Sequence, residues 1–119
     1  MTQTKKRSIG NFGEDLTSKY LEKNGYTILD KNYLKSFGEI DIIAVKDDIL
    51  SFVEVKTRKN DKFKRASLDV GYFKQERIKK AAQAYIIEKK LDSFLISFDV
   101  CEVYLEERII HYIKNAFGD

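Results

Sequence analysis

The chain has 119 residues, of which 43% are hydrophobic and 34% charged, with a formal net charge of +3. This fits one globular domain over residues 1–119 that can build a core without disulfides, and it argues against a disordered chain. The single cysteine, Cys101, excludes an internal disulfide or a cysteine-based metal cage, and the single histidine, His111, argues against a histidine-based zinc cluster or catalytic network.

No apolar run approaches the roughly 20 residues that span a membrane, and no signal-peptide core follows Lys5-Lys6-Arg7, so a cytoplasmic protein is expected. Residues 1–7 are expected to be a mobile tail. Ile9, Phe12, Leu16 and Tyr20 then recur at helical spacing, and Gly25 is a stop signal. Glu14 lies at the edge of that stripe beside the small residues Gly10 and Gly13, placed either to turn toward a sheet or to stay at the surface.

Tyr26 to Leu34 reads as a partly exposed strand. Ile40 to Val45 and Ile49 to Val55 are rich in β-branched residues and free of Gly and Pro, and Asp47-Asp48 between them is turn chemistry. Lys59 to Lys64 reads as a basic loop. A helix is expected from about Val70 to Lys90, with Ile78, Ala81, Ala82, Tyr85 and Ile86 as its apolar stripe. Lys74 falls on the same stripe one turn before Ile78, where it either points at a phosphate or metal site or lays its stem on the core and snorkels to water. Phe94 to Leu105 and Arg108 to Ile113 are two further strands, turned by Glu106-Glu107. Asp99 is read as a structural polar residue near the sheet edge, and His111 as an exposed or core-edge strand residue. The order α-β-β-β-α-β-β predicts an α/β fold, a mixed sheet of about five strands flanked by helices.

The hairpin concentrates the chemistry. A two-residue loop at Asp47-Asp48 sets Ile43 opposite Phe52, Asp41 opposite Glu54 and Glu39 opposite Lys56 on one face. Ile42 opposite Val53 and Ile40 opposite Val55 form the other. A three-residue turn is the alternative, and a one-residue slip would send Glu54 to the opposite face. Directly opposed residues have Cβ atoms roughly 4.5–5.5 Å apart, and like charges there are destabilising. Asp41 against Glu54 therefore needs compensation by Lys56 or by a hard divalent cation. The plainer reading is a salt-bridged strand end with Glu39–Lys56 as a cross-strand ion pair. The two apolar faces favour a site, because a doubly covered sheet buries this corner and buried charges must be paired or bind metal.

Charge is unevenly spread: residues 1–55 carry a net −1, residues 56–90 carry +8, and residues 91–119 carry −4. The positive segment starts at the charged corner and runs into the following helix, which suits a polyanionic partner, or makes a solvated basic face.

Asp41, the hairpin and Glu54-Val55-Lys56 resemble the pattern of PD-(D/E)xK nucleases. The longer string Gly38-Glu39-Ile40-Asp41 with Phe52-Val53-Glu54-Val55-Lys56-Thr57-Arg58 is similar to the YraN-like family of small bacterial proteins. Holliday-junction resolvases and restriction-endonuclease-like enzymes are regarded as relatives of that family. Gly13-Glu14, Gly25-Tyr26, Asn32-Tyr33, Lys74 and Phe98-Asp99-Val100 extend the likeness over nearly the whole chain. Ile40 stands where the nuclease pattern has Pro, and Ser97 where an Arg would be expected, which removes one basic contact.

The resemblance implies a restriction-endonuclease-like fold and divalent-metal hydrolysis of phosphodiester bonds in DNA, with branched or structured DNA as a substrate class. Asp41, Glu54 and the Val55 carbonyl would hold Mg²⁺ or Mn²⁺, with Glu14 in support directly or through water, and Lys56 would orient the attacking water or stabilise developing charge. Arg58, Lys59, Lys74 and Arg77 would meet the nucleic acid, and a homodimer would help one small domain engage two DNA arms. A non-catalytic nucleic-acid-binding module on the same fold is the alternative, and a protein-interaction subunit the third reading.

Overall fold

Helical and strand periodicities divide the chain into seven elements: α1 (Lys5–Lys23), β1 (Thr27–Lys35), β2 (Gly38–Lys46), β3 (Ile49–Arg58), α2 (Tyr72–Lys89), β4 (Leu95–Tyr104) and β5 (Ile109–Phe117). The computed structural model describes residues 5–60 and 70–118, with the backbone alone over 5–10. Most of the basic loop expected over Lys59 to Lys64 lies outside the described residues. The helix α1 already begins at Lys5, within the segment expected as a tail.

The five strands form one sheet in the order β1-β2-β3-β4-β5. Three neighbouring pairs are antiparallel; β3 and β4 are parallel because α2 carries the chain across between them. Each face buries its own cluster. On one, α2 sets Ile78, Ala81, Ala82 and Tyr85 against Ile43, Leu50, Phe52 and Val100. On the other, Leu21 of α1 packs with Ile42, Ala44, Val53, Cys101 and Val103. The mixed α/β architecture and the element order are as expected. No helix among the described residues is long and apolar enough to cross a membrane.

Leu16 and Tyr20 of the expected α1 stripe pack against the second cluster, but Phe12 does not belong to the inner side. Phe12 is 53% exposed, whereas Gly13, Thr17 and Leu21 are buried. An added Cβ at Gly13 would lie 2.0 Å from the Thr57 Oγ1, so the helix can sit this close to β3 only with a hydrogen at that position. Thr17 completes the contact by donating its hydroxyl to the Gly13 carbonyl at 2.8 Å and lying 3.3 Å from the Cys101 Sγ.

The β2–β3 hairpin turns through two residues, since Lys46 pairs with Ile49 and Ile43 with Phe52. Asp47 takes φ 56, a left-handed conformation that Asp tolerates in tight turns. The regular ladder stops at Ile42–Val53, one pair short of the charged corner. Alternation also breaks there: Ile42 belongs to the α1-side cluster, but Ile40 belongs to the α2-side cluster rather than pairing with Val55 on the α1 side. Asn32, between the Lys31–Ile42 and Tyr33–Ile40 pairs on the neighbouring strand, has φ 52. The left-handed backbone at Asn32 accompanies the passage of Ile40 onto the α2 face.

Candidate functional site

Where the ladder ends, a side chain takes over. The Asp41 carboxylate accepts the Val55 N–H at 2.8 Å, in place of the expected Asp41–Glu54 backbone pairing. Opposed carboxylates repel, and this bond gives Asp41 a partner on β3 that does not. Glu54, only 6% exposed, comes from the adjoining residue of β3. Both acids line a cavity of about 360 Å³ together with Glu39, Phe73, Lys74, Arg77 and Ile78. A second cavity of about 410 Å³, by Phe12, Leu16 and the β4–β5 turn, is chiefly apolar and has no acidic side chain in its lining.

The α2 backbone forms the cavity's other wall by coming very close to β2. An added Cβ at Gly38 would lie 2.4 Å from the Arg77 carbonyl oxygen. Glycine at the start of β2 therefore sets how near the first turns of α2 stand to Asp41 and Glu54. The Arg77 Nε–H also donates to the Phe37 carbonyl at 3.2 Å, tying the helix to the β1–β2 turn.

Lys74 reaches into the site. Its ammonium meets Glu54 Oε2, and Lys56 Nζ lies 3.7 Å from the same oxygen. Among the described residues Lys56 pairs with Glu54, as the compensated-corner reading expects, and the alternative Glu39–Lys56 bridge does not form. Burial acts to lower the Lys74 pKa, and the hydrogen bond and charge of Glu54 outweigh it, leaving a net upward shift. Asp41 moves much further from its ordinary value, up to about 8. Burial is the main cause, and the adjacent Glu54 charge adds to it while the Val55 amide opposes it. At neutral pH Asp41 therefore keeps a proton beside the Glu54 charge.

Glu14 is half-buried and accepts a hydrogen bond from the Asn32 side chain. Burial, then the nearby Glu39 charge, raises its pKa against that bond, and its own charge adds to the rise at Asp41. Among the described residues no three or more His, Cys, Asp or Glu side chains converge to hold a metal, so Glu14 does not complete a three-acid set. Of the four basic residues expected to meet nucleic acid, Lys74 and Arg77 line the cavity. Arg58 and Lys59 lie further along the β3 path, beside Leu105 and Glu106, whose amides bond their carbonyls at 2.9 Å.

The sequence reading missed Phe73 at the cavity rim, although two adjacent aromatics off the α2 stripe were a signal. It also missed a network on β4 and β5. Buried Glu102 accepts the Tyr104 hydroxyl and contacts His111 Nδ1 at 2.8 Å. Asp99, 1% exposed, accepts from Ser97 at 2.6 Å, Tyr112 at 2.5 Å and the Asn115 amide at 3.0 Å. Its carboxylate is occupied in fastening β5 to β4, and Ser97 serves that bond.

The model of the family described as Uncharacterised protein family UPF0102 matches residues 13–103. The chain belongs to this family. The match begins at the close-packed Gly13 and contains Gly38, Asp41, Glu54, Lys56, Lys74 and Arg77. A UPF0102 protein of Clostridium perfringens is 48% identical over 115 residues, covering 93% of this chain and 94% of the relative. UPF0102 proteins of Alkaliphilus metalliredigens and Dictyoglomus turgidum are each 45% identical, covering 93% of this chain and 98% of their own lengths.

Proposed function

We propose that this UPF0102 chain is a divalent-metal-dependent endonuclease that hydrolyses phosphodiester bonds in DNA, with branched or structured DNA as its substrate class, on a restriction-endonuclease-like fold. One observation carries the reading: Asp41 and Glu54 converge in an open cavity at a break in the sheet, with the Lys56 and Lys74 ammonium groups on Glu54.

The donor set fits Mg²⁺ or Mn²⁺. The burial and neighbouring Glu54 charge that disfavour an ionised Asp41 would be offset by a hard cation, and Mg²⁺ typically uses one or two carboxylates with water completing its shell. Asp41 and Glu54 would hold the ion with the Val55 carbonyl, and Glu14 would act through its charge or through water. When bound, the ion would polarise a phosphoryl oxygen and acidify a coordinated water.

The chain's own groups supply the rest. Asp41 gives up the proton it holds at neutral pH when the ion is taken up. Lys56 stabilises negative charge developing on the reacting phosphate or orients the water. Lys74 exchanges Glu54 for a phosphate oxygen, and Arg77 provides a second phosphate contact on the same wall. Arg58 and Lys59 extend the basic path for the strand beyond the cavity.

A second reading, a non-catalytic nucleic-acid-binding module, has its own observation: Lys74 already neutralises Glu54 without any metal. Incubation with branched and linear DNA in Mg²⁺ and in Mn²⁺ separates the two. The endonuclease reading expects cleavage that disappears in Glu54→Gln and Lys56→Ala. Binding without cleavage supports the module, and cleavage that survives both substitutions overturns the assigned site.

A further inference from the structure

The first turn of α2 carries two aromatic rings that neither core cluster uses. Tyr72 is 68% exposed and Phe73 is 80% exposed, whereas the buried residues of α2 begin at Ile78. The two rings touch only edge to face, with centroids 5.5 Å apart. Exposed apolar residues are common and usually need no explanation; here the position gives one. Phe73 lines the cavity that holds Asp41 and Glu54, the next residue is Lys74 on Glu54, and Arg77 lines the same wall. Within its first two turns α2 therefore offers ring faces on the outside of the rim and cations on the inside.

We infer that Tyr72 and Phe73 form a stacking platform for an unpaired nucleobase beside the phosphate held at the cavity, so that the substrate is DNA with a single-stranded segment, flap or splayed arm at the site. The inference rests on the phosphodiester reading above and names its substrate class. A polyanionic backbone bearing flat aromatic bases is the partner that meets both halves of the rim: the phosphates match Lys74 and Arg77, and the bases match the rings. In an intact duplex each base is covered on both faces by its neighbours, so a protein ring is met by a base that has left the stack. A second copy of this chain or an apolar peptide could cover the rings but would bring no phosphate row to the Lys74 and Arg77 side of the same rim.

The test uses the full chain in EDTA, where cleavage cannot intervene, and DNA carrying 2-aminopurine in an unpaired tail next to a duplex. The platform predicts quenching of the probe, and affinity for tailed DNA roughly 5- to 150-fold above that for the blunt duplex. Tyr72→Ala/Phe73→Ala, at two exposed positions, is expected to abolish both while retaining blunt-duplex affinity. Asp41→Asn is expected to retain the quenching while losing cleavage in Mn²⁺.

Equal affinity for tailed and blunt DNA, or unchanged quenching in the double variant, overturns the platform and leaves the nuclease reading standing. A platform variant that changes only the sedimentation behaviour of the protein overturns it in favour of a second copy. Failure of the unsubstituted chain to bind either DNA removes the underlying reading as well.

Discussion

The Asp41 carboxylate accepts the Val55 amide at 2.8 Å, so a side chain stands where the β2–β3 ladder would have continued. This bond opens the sheet at the point where two acids meet. It also fixes Asp41 beside Glu54 without setting their backbones directly opposite. The electrostatic consequences follow from that placement.

Stability should fall as pH rises from about 4 to about 8, with Asp41 contributing to the slope. Its folded pKa is raised from 3.8 to about 8, chiefly by burial. Across that window the folded chain therefore keeps a proton that the unfolded chain has released. The contribution is fully present below the unfolded value and lost as pH rises through the folded one. Each pH unit costs at most about 1.4 kcal/mol. Asp41→Asn should flatten the profile of denaturation midpoint against pH. An unchanged slope would show that Asp41 carries no such proton.

Removing the lysine on Glu54 should be more harmful than its surface position suggests. Lys74 is 49% exposed, but its partner Glu54 is only 6% exposed. Lys74→Ala leaves a buried carboxylate with Lys56 at 3.7 Å as its remaining ion-pair partner. Lost charge pairing here should cost about 1–2 kcal/mol, below the usual figure for a fully buried pair because the ammonium is half in water. Adding Glu54→Gln should recover part of the loss, as a double-mutant cycle in urea would read. Strictly additive losses would contradict the coupling.

The two glycines at either end of α2's approach should respond unequally. At Gly38 a Cβ would sit 2.4 Å from the Arg77 carbonyl oxygen, whereas at Gly71 nothing lies within 4 Å. Gly38→Ala should destabilise by about 1–3 kcal/mol, as overpacking does, and push α2 away from the cavity. Gly71→Ala, at the α2 N-cap with φ −67 and open space around it, should cost at most about 1 kcal/mol, the usual N-cap preference for Gly over Ala. Thermal melts of the two variants compare them directly, and an equal response would remove the close-approach argument.

Much of this arrangement was legible in the chain. The β-branched runs around Asp47-Asp48 mark the hairpin, and of its two possible turns the two-residue one sets the register seen through Ile42–Val53. Lys74 stood out because a charge interrupted an apolar stripe. The break at Asp41 is not legible, because strict alternation puts Ile40 on the α1 face and nothing in the sequence marks the left-handed backbone at Asn32 on the neighbouring strand. The α1 stripe is legible at Leu16 and Tyr20 but not at Phe12, for a related reason. Large residues such as Phe12 drew the stripe, while the closest contact with the sheet is made by Gly13 and Thr17. Small residues mark such contacts only once the partner strand is known.

Asp99 should behave as a fastener. Its carboxylate holds the Ser97 and Tyr112 hydroxyls and the Asn115 amide at 1% exposure. Asp99→Ala should cost about 3 kcal/mol by leaving these donors unpartnered. Asp99→Asn, if folded at low temperature, should leave DNA cleavage intact. Loss of cleavage in a stable Asp99→Asn protein would move this residue into the site.

The central claim is that Asp41 and Glu54 form a divalent-metal site, and Mn²⁺ titration followed by calorimetry and electron paramagnetic resonance tests it most directly. The account predicts saturable binding of Mn²⁺ that strengthens between pH 6 and pH 8 with release of a proton, and that is lost in Asp41→Asn and in Glu54→Gln. Binding unaffected by either substitution, or no binding at saturating Mn²⁺, would contradict it.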